Sequence, residues 1–158
     1  EVRQLLTDVR DVFASHAGEA EIALLVEVPE PLPSVLADPQ RLGQVLGYLV
    51  AYALRHTPGG GTVTLGAAGV PGGDALRLWV ADTGQGIAAE DLSRIFDRLW
   101  RCDRSRSHGS GASSGLGLAI AKSLVEAHGG RIWAESQLGE GTIVSCILPL
   151  PPDTWDGT

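Results

Sequence analysis

Hydrophobic positions along this chain follow two different periods, and the switches between them outline its elements. Val2–Val9 alternates loosely and predicts an opening strand, while Arg10–Glu19 reads as a helix ending near Gly18. Glu21–Val28, E-I-A-L-L-V-E-V, is a β-rich run closed by P-E-P-L-P, and Val35–Ala37 is a further short strand. Asp38 then caps a helix with Pro39 at its first position. That helix runs from Pro39 to Thr57 and stops at P-G-G-G. Helical geometry gathers Leu42, Val45, Leu46, Leu49 and Ala53 on one face, which predicts the core face. Arg41, Tyr48, Tyr52 and Arg55 form a second stripe beside it, placed to line a site. Gly43 and Gly47 lie on the opposite flank. A mid-helix glycine costs roughly 1 kcal/mol against alanine, so close packing is expected there.

The second half changes period often. Thr62–Ala67 and Ala75–Ala81 read as strands joined by the hairpin turn V-P-G-G-D, and Ala88–Arg94 as a short helix. Arg101–Ser113 is rich in Ser, Gly and Arg and has no periodicity, which predicts a mobile loop. Gly115–His128 reads as a helix ended by Gly129-Gly130. Arg131–Glu135 and Thr142–Leu148 are strands around a G-E-G turn, and Pro149–Thr158 is polar. Helices and hairpins interleave without regular βαβ alternation. The expected class is α+β: a two-layer sandwich, its mixed, mostly antiparallel sheet covered by helices on one face. The expected organisation is one domain over residues 1–150 followed by a polar tail at 151–158.

Composition narrows the functions this fold can serve. The 158 residues suffice for one sizeable core, and 44% hydrophobic with 20% charged residues is ordinary for a soluble globular protein. Apolar runs are short and broken by Gly, Pro or charge, so no transmembrane span is expected. No signal peptide opens the chain, and the lack of any methionine points to a piece of a longer protein. A net charge of −7 argues against general binding to nucleic acid or anionic membrane. Positive charge is nevertheless gathered at Arg98, Arg101, Arg104 and Arg106. Cys102 and Cys146 lack metal-ligand spacing and fit a reducing compartment.

Two glycine boxes carry the candidate chemistry. D-T-G-Q-G-I spans Asp82–Ile87, at a strand end. A carboxylate there is placed to accept a hydrogen bond from an exocyclic amine such as N6 of adenine. Gly84 and Gly86 let the backbone pass close to a flat ring. The alternative is a turn that Asp82 caps through its own backbone. S-G-L-G-L-A-I spans Ser114–Ile120 and opens a helix, where amide N–H groups and the positive end of the dipole favour phosphates. The alternative is close packing of two helices through small residues. Neither a P-loop nor the dinucleotide fingerprint is present.

In order and spacing these motifs resemble the catalytic ATP-binding domain of bacterial sensor histidine kinases, in the GHKL ATPase superfamily. D-P-Q-R-L-G-Q-V-L at Asp38–Leu46 resembles the entry to that family's N box, and A-L-R-H-T-P at Ala53–Pro58 its end. Asp82–Ile87 and Ser114–Ile120 resemble its two glycine boxes. I-F-D-R-L-W-R-C-D-R-S-R-S at Ile95–Ser107 resembles its F box. A-H-G-G-R-I-W-A-E-S at Ala127–Ser136 and G-E-G-T at Gly139–Thr142 resemble its closing segment. The resemblance covers nearly the whole chain.

It implies a GHKL fold and ATP as ligand, with Asp82 on adenine N6. Gly84, Gly86 and Ile87 shape the base pocket, with Thr142 nearby. Gly115, Leu116, Gly117 and Leu118 approach the phosphates. Arg55, His56 and Arg101 lie on the phosphate side, with Arg55 and Arg101 as the catalytic candidates. Phe96 anchors a lid over Arg101–Ser113, whose arginines neutralise phosphate charge or form a solvated basic face. None of His16, His56, His108 and His128 has the phosphoacceptor setting. The implied partners are therefore a histidine-bearing dimerisation domain, in cis or in trans, and a response regulator downstream. The implied location is the cytoplasmic part of a membrane-bound bacterial sensor.

One box departs from the pattern. Where the N box usually reads N-L-x-x-N-A, this chain has Tyr48-Leu49-Val50-Ala51-Tyr52-Ala53. Mg²⁺ is expected for the family, and the second asparagine holds it. Tyr52 stands at that position, and no residue of this chain is assigned as a metal ligand. Tyr48 stands where ATP-hydrolysing relatives such as gyrase place a glutamate, and a phenol does not replace that base near neutral pH. Three readings stay open: a kinase ATP-binding domain; a degenerate pseudokinase or split-kinase component acting by contact; and a serine kinase acting on an anti-sigma partner. The lid and the G-G-R-I-W-A-E-S segment favour the sensor-kinase branch over the last.

Overall fold

The structure is a computed structural model that describes residues 2–28, 39–70, 75–92, 94–97 and 117–149. In chain order the elements are α1 (Val2–Glu19), β1 (Ala23–Glu27), α2 (Pro39–His56), β2 (Thr62–Gly69), β3 (Ala75–Asp82), α3 (Ala89–Leu92), α4 (Gly117–Ala127), β4 (Arg131–Gln137) and β5 (Gly141–Pro149). The five strands form one sheet in the order β1-β2-β3-β5-β4. The β1–β2 pair is parallel and the other three pairs are antiparallel. Helices α1, α2 and α4 pack against the sheet and, through α2, against one another. The expected two-layer α+β sandwich is what forms.

The opening segment corrects the sequence reading. Val2–Val9 belongs to α1, not to a strand. Val2, Leu6, Val9 and Ala17 are buried, with Leu5 and Phe13 packed beside them, and that spacing is helical. The loose alternation over so few residues is also what one side of an amphipathic helix produces. α1 ends in a paired cap: the amides of Ile22 and Glu21 donate to the carbonyls of Ala17 and Gly18. Glu21 takes φ 60 to close it, so the following strand begins only at Ala23.

Alternation along β2, β3 and β5 turns Val63, Leu65, Ala67, Leu76, Leu78, Val80, Val144, Cys146 and Leu148 toward the helices. From α2, the expected face of Leu42, Val45, Leu46, Leu49 and Ala53 meets them, all buried. On its flank Gly43 faces Leu5 and Gly47 faces Phe13 of α1, but a Cβ at either would make only ordinary contact, at 3.7 and 3.8 Å, so the close packing expected at these glycines is not what requires them. The second stripe of α2 is split: Tyr52 is buried in the core, whereas Arg41 and Arg55 are exposed. Cys146 is buried, and burial pushes its thiol up to about 12, so it is packing material and not a nucleophile. The predicted strand at Val35–Ala37, the Asp38 cap, the hairpin turn, the loop at Arg101–Ser113 and the tail from 150 lie outside the described residues.

Leu46 is fully buried where α2 meets the sheet. Leu46→Ala is expected to cost about 2–5 kcal/mol by lost burial and a residual cavity, read as a fall in the urea midpoint at unchanged slope.

Candidate functional site

The candidate site forms where the last residue of β3 meets the first turn of β5. The β3–β5 register sets Asp82 opposite Thr142. Both are buried, Asp82 at 8% and Thr142 at 4% exposure. The Gly84 amide donates to Asp82 Oδ1 at 2.8 Å, and the Thr142 amide also hydrogen-bonds the carboxylate. Burial raises the Asp82 pKa, and those two amides oppose the shift. The Gly84 bond is the self-capped turn that sequence allowed as an alternative. It coexists with a carboxylate that keeps lone pairs for an incoming donor.

Gly84 and Gly86 are required by close approach. A Cβ on Gly84 would run into the carbonyl of His56, at the end of α2. A Cβ on Gly86, which takes φ 79, would run into the carbonyl of Gln137, at the end of β4. The glycine loop is thus wedged between a helix end and a hairpin turn. The Gly139 amide donates to the Gln85 carbonyl at 2.8 Å, and the Ile87 amide donates to Ser136 Oγ at 2.7 Å.

Sequence reasoning did not single out Ser136. It lies directly opposite Thr142 in the β4–β5 pair. Reading the hairpin register outward from the G-E-G turn would have found it, but β4 was expected to end at Glu135.

The helix ends complete the surroundings. His56 is the last residue of α2, and its ring lies 4.3 Å from that of Tyr52, tilted by 41°. Burial, with a smaller contribution from the Arg55 charge, lowers the His56 pKa to about 4. His56 is therefore neutral near pH 7 and adds no charge on the phosphate side. Arg55 beside it is exposed. Gly117 opens α4 against the ring of Tyr48, 3.3 Å from where its Cβ would be. The close-packing alternative for the second glycine box thus holds at this residue. Leu118 is buried and belongs to the core cluster. Gly115, Leu116 and Arg101 lie outside the described residues.

The residues do not fit the expected metal. Tyr52, at the asparagine position, is only 8% exposed, belongs to the core cluster and is stacked on His56. A neutral phenol is in any case a poor ligand for Mg²⁺, which takes carboxylate, carbonyl and water oxygens in strict octahedral geometry. Among the described residues no group of three or more His, Cys, Asp or Glu side chains is placed to hold a metal ion.

The depressed His56 pKa makes a pH prediction. A folded-state pKa below the unfolded value of 6.5 stabilises the fold above pH 6.5. That contribution is lost as pH falls from 6.5 toward 4, because only the unfolded state takes up the proton. The loss is expected to approach about 3 kcal/mol. Urea unfolding at stepped pH reads it, and His56→Phe is expected to flatten this window.

Comparison with known proteins agrees with the geometry. Residues 37–152 match the family described as Histidine kinase-, DNA gyrase B-, and HSP90-like ATPase. The chain is 39% identical over 146 residues to the adaptive-response sensory kinase SasA of Synechococcus elongatus, covering 92% of this chain and 37% of that kinase. It therefore spans little more than a third of that relative's length. Among solved structures, full-length ShkA in complex with AMPPNP superposes with a TM-score of 0.85 at 33% identity, covering 95% of this chain and 30% of that one. The histidine kinase ThkA in complex with the response regulator TrrA superposes with a TM-score of 0.76 at 25% identity, covering 95% of this chain and 40% of that one. The chain belongs to the Histidine kinase-, DNA gyrase B- and HSP90-like ATPase family and, within it, to the ATP-binding domains of sensor histidine kinases.

Proposed function

We propose that this domain holds ATP with the adenine amine on Asp82 and presents the γ-phosphate to a histidine on a separate dimerisation domain. The observation that carries the reading is the buried Asp82–Thr142 pair beside a glycine loop wedged between α2 and the β4–β5 turn. The carboxylate accepts from N6. Gly84, Gly86 and Ile87 supply the backbone wall of the base pocket. The start of α4, preceded in sequence by Gly115 and Leu116, directs its positive end toward the phosphates. Arg55 at the end of α2 and Arg101 are the cations for the triphosphate.

In the transfer, an imidazole nitrogen of the partner histidine attacks the γ-phosphorus. The bond from phosphorus to the bridging oxygen breaks, ADP leaves with the electron pair, and the ring proton passes to solvent. The AMPPNP bound to ShkA and the response regulator bound to ThkA support this assignment of ligand and downstream partner. The proposed boundaries are one ATP-binding domain over 1–150 and a polar tail beyond it. The proposed location is the cytoplasmic part of a sensor. No helix among the described residues is long and apolar enough to cross a membrane.

The family's Mg²⁺ has no fitting ligand in Tyr52, so no step is assigned to it. Nucleotide affinity is expected to be the same in Mg²⁺ as in EDTA, measured by calorimetric titration with ATP. Asp82→Asn is expected to lower ATP affinity about tenfold or more, because it replaces a charged acceptor by a neutral amide whose one acceptor oxygen is already claimed by the Gly84 and Thr142 amides. Unchanged affinity in Asp82→Asn would remove the adenine assignment. The pair Tyr48→Asn with Tyr52→Asn is expected to introduce Mg²⁺ dependence. Absence of ATP binding in both media would overturn the ATP reading and leave a domain that acts by contact alone.

A further inference from the structure

The three hydroxyl contacts around Ser136 have only one consistent assignment of hydrogens. Ser136 Oγ lies 2.8 Å from the carbonyl oxygen of Gly141, 2.7 Å from the amide nitrogen of Ile87 and 2.8 Å from Thr142 Oγ1. A carbonyl can only accept and an amide can only donate. The single proton of Ser136 therefore goes to Gly141, and one of its lone pairs receives Ile87. Its remaining lone pair is left for Thr142, so Thr142 must be the donor in the hydroxyl pair. Ser136 is then saturated, and the one proton of Thr142 is used on it. On any other side Thr142 Oγ1 offers lone pairs alone.

Thr142 stands opposite Asp82, whose carboxylate also only accepts when ionised. The inner end of the pocket is thus lined by acceptors on both strands. At the purine 6-position an amine brings two protons to these two acceptors. A 6-oxo group there meets lone pairs with lone pairs, and the N1–H that accompanies it lies one ring position away, so a buried polar group is left unpaired at cost. We infer that Ser136 is a specificity-determining positioning residue: by taking the proton of Thr142 it makes the site select purines with a 6-amino group over 6-oxo purines. This rests on the adenine reading above and extends it to a residue beyond the pocket wall. The same hydroxyl ties the glycine loop, through Ile87, to the β4–β5 turn, through Gly141. Loop position and hydroxyl polarity are set by one atom.

The test compares ATP with ITP, which carries a 6-oxo group, by calorimetric titration of this chain. Wild type is expected to favour ATP. In Ser136→Ala the Thr142 proton is released and can turn to the 6-oxo group. The ATP-to-ITP affinity ratio is expected to narrow about fivefold, the worth of one hydrogen bond. Ser136→Thr keeps the hydroxyl and is expected to hold the ratio. In a Thr142→Val background, Ser136→Ala is expected to leave the ratio alone, because its action passes through Thr142. If Ser136→Ala does not fold, Ser136→Cys, a weak donor and acceptor, carries the same expectation of narrowing. A purely structural Ser136 would weaken both nucleotides equally and keep the ratio fixed, and that result overturns the inference while leaving ATP binding intact. No ATP binding by wild type would overturn this inference and the adenine reading together.

Discussion

Burying the Asp82 carboxylate is the constraint around which the site is built. An ionised carboxylate resists leaving water, and its raised pKa records that cost. The fold tolerates it because the β3–β5 register brings the Thr142 amide to it and the glycine turn brings the Gly84 amide. Those donors require the chain to double back sharply after Asp82. The doubling back requires glycine at 84 and 86, against the His56 and Gln137 carbonyls. The end of α2 and the β4–β5 turn must then stand where they do. That is why the core contacts of α2 with the sheet bear on the site: they hold one wall of it.

Helix α2 connects three regions through residues one turn apart. Leu46 and Leu49 seal the sandwich, Tyr48 receives Gly117 of α4, and Tyr52 stacks on His56 beside the glycine loop. Tyrosine at 48 and 52 adds ring area to this junction. At 52 the ring is committed to the core, which favours packing over coordination. The neutral, half-buried His56 next to it leaves Arg55 as the charged group at this end of α2. On the proposed reading, charge compensation for a triphosphate falls to arginine and to the start of α4.

Much of this was legible in sequence, for physical reasons that differ by residue. The core face of α2 follows from helical periodicity over eighteen residues, which is long enough to be unambiguous. Gly129, at φ 80, ends α4 as the G-G pair predicts. Asp82, Gly84 and Gly86 stood out through the order of the motifs around them, since a strand end followed by two glycines fits a self-capped turn equally well. Val2–Val9 misled because loose alternation over a short window fits either period, and only the continuation to Phe13 and Ala17 makes it helical. The burial of Tyr52 was not legible, since a stripe beside the core face is half in and half out until the neighbouring ring is known. Ser136 was hidden for another reason: its role depends on a hairpin register and on where a proton goes, and neither is a property of its own neighbourhood in sequence.

The family assignment rests on a match across most of the chain, and the pocket account rests on a few atoms around Asp82. A crystal structure of this domain with a non-hydrolysable ATP analogue tests that account most directly. The account predicts the adenine amine within hydrogen-bond distance of Asp82, with the Ser136–Thr142 contact intact beside it. Adenine bound away from Asp82, or held by groups other than the glycine loop, would contradict it.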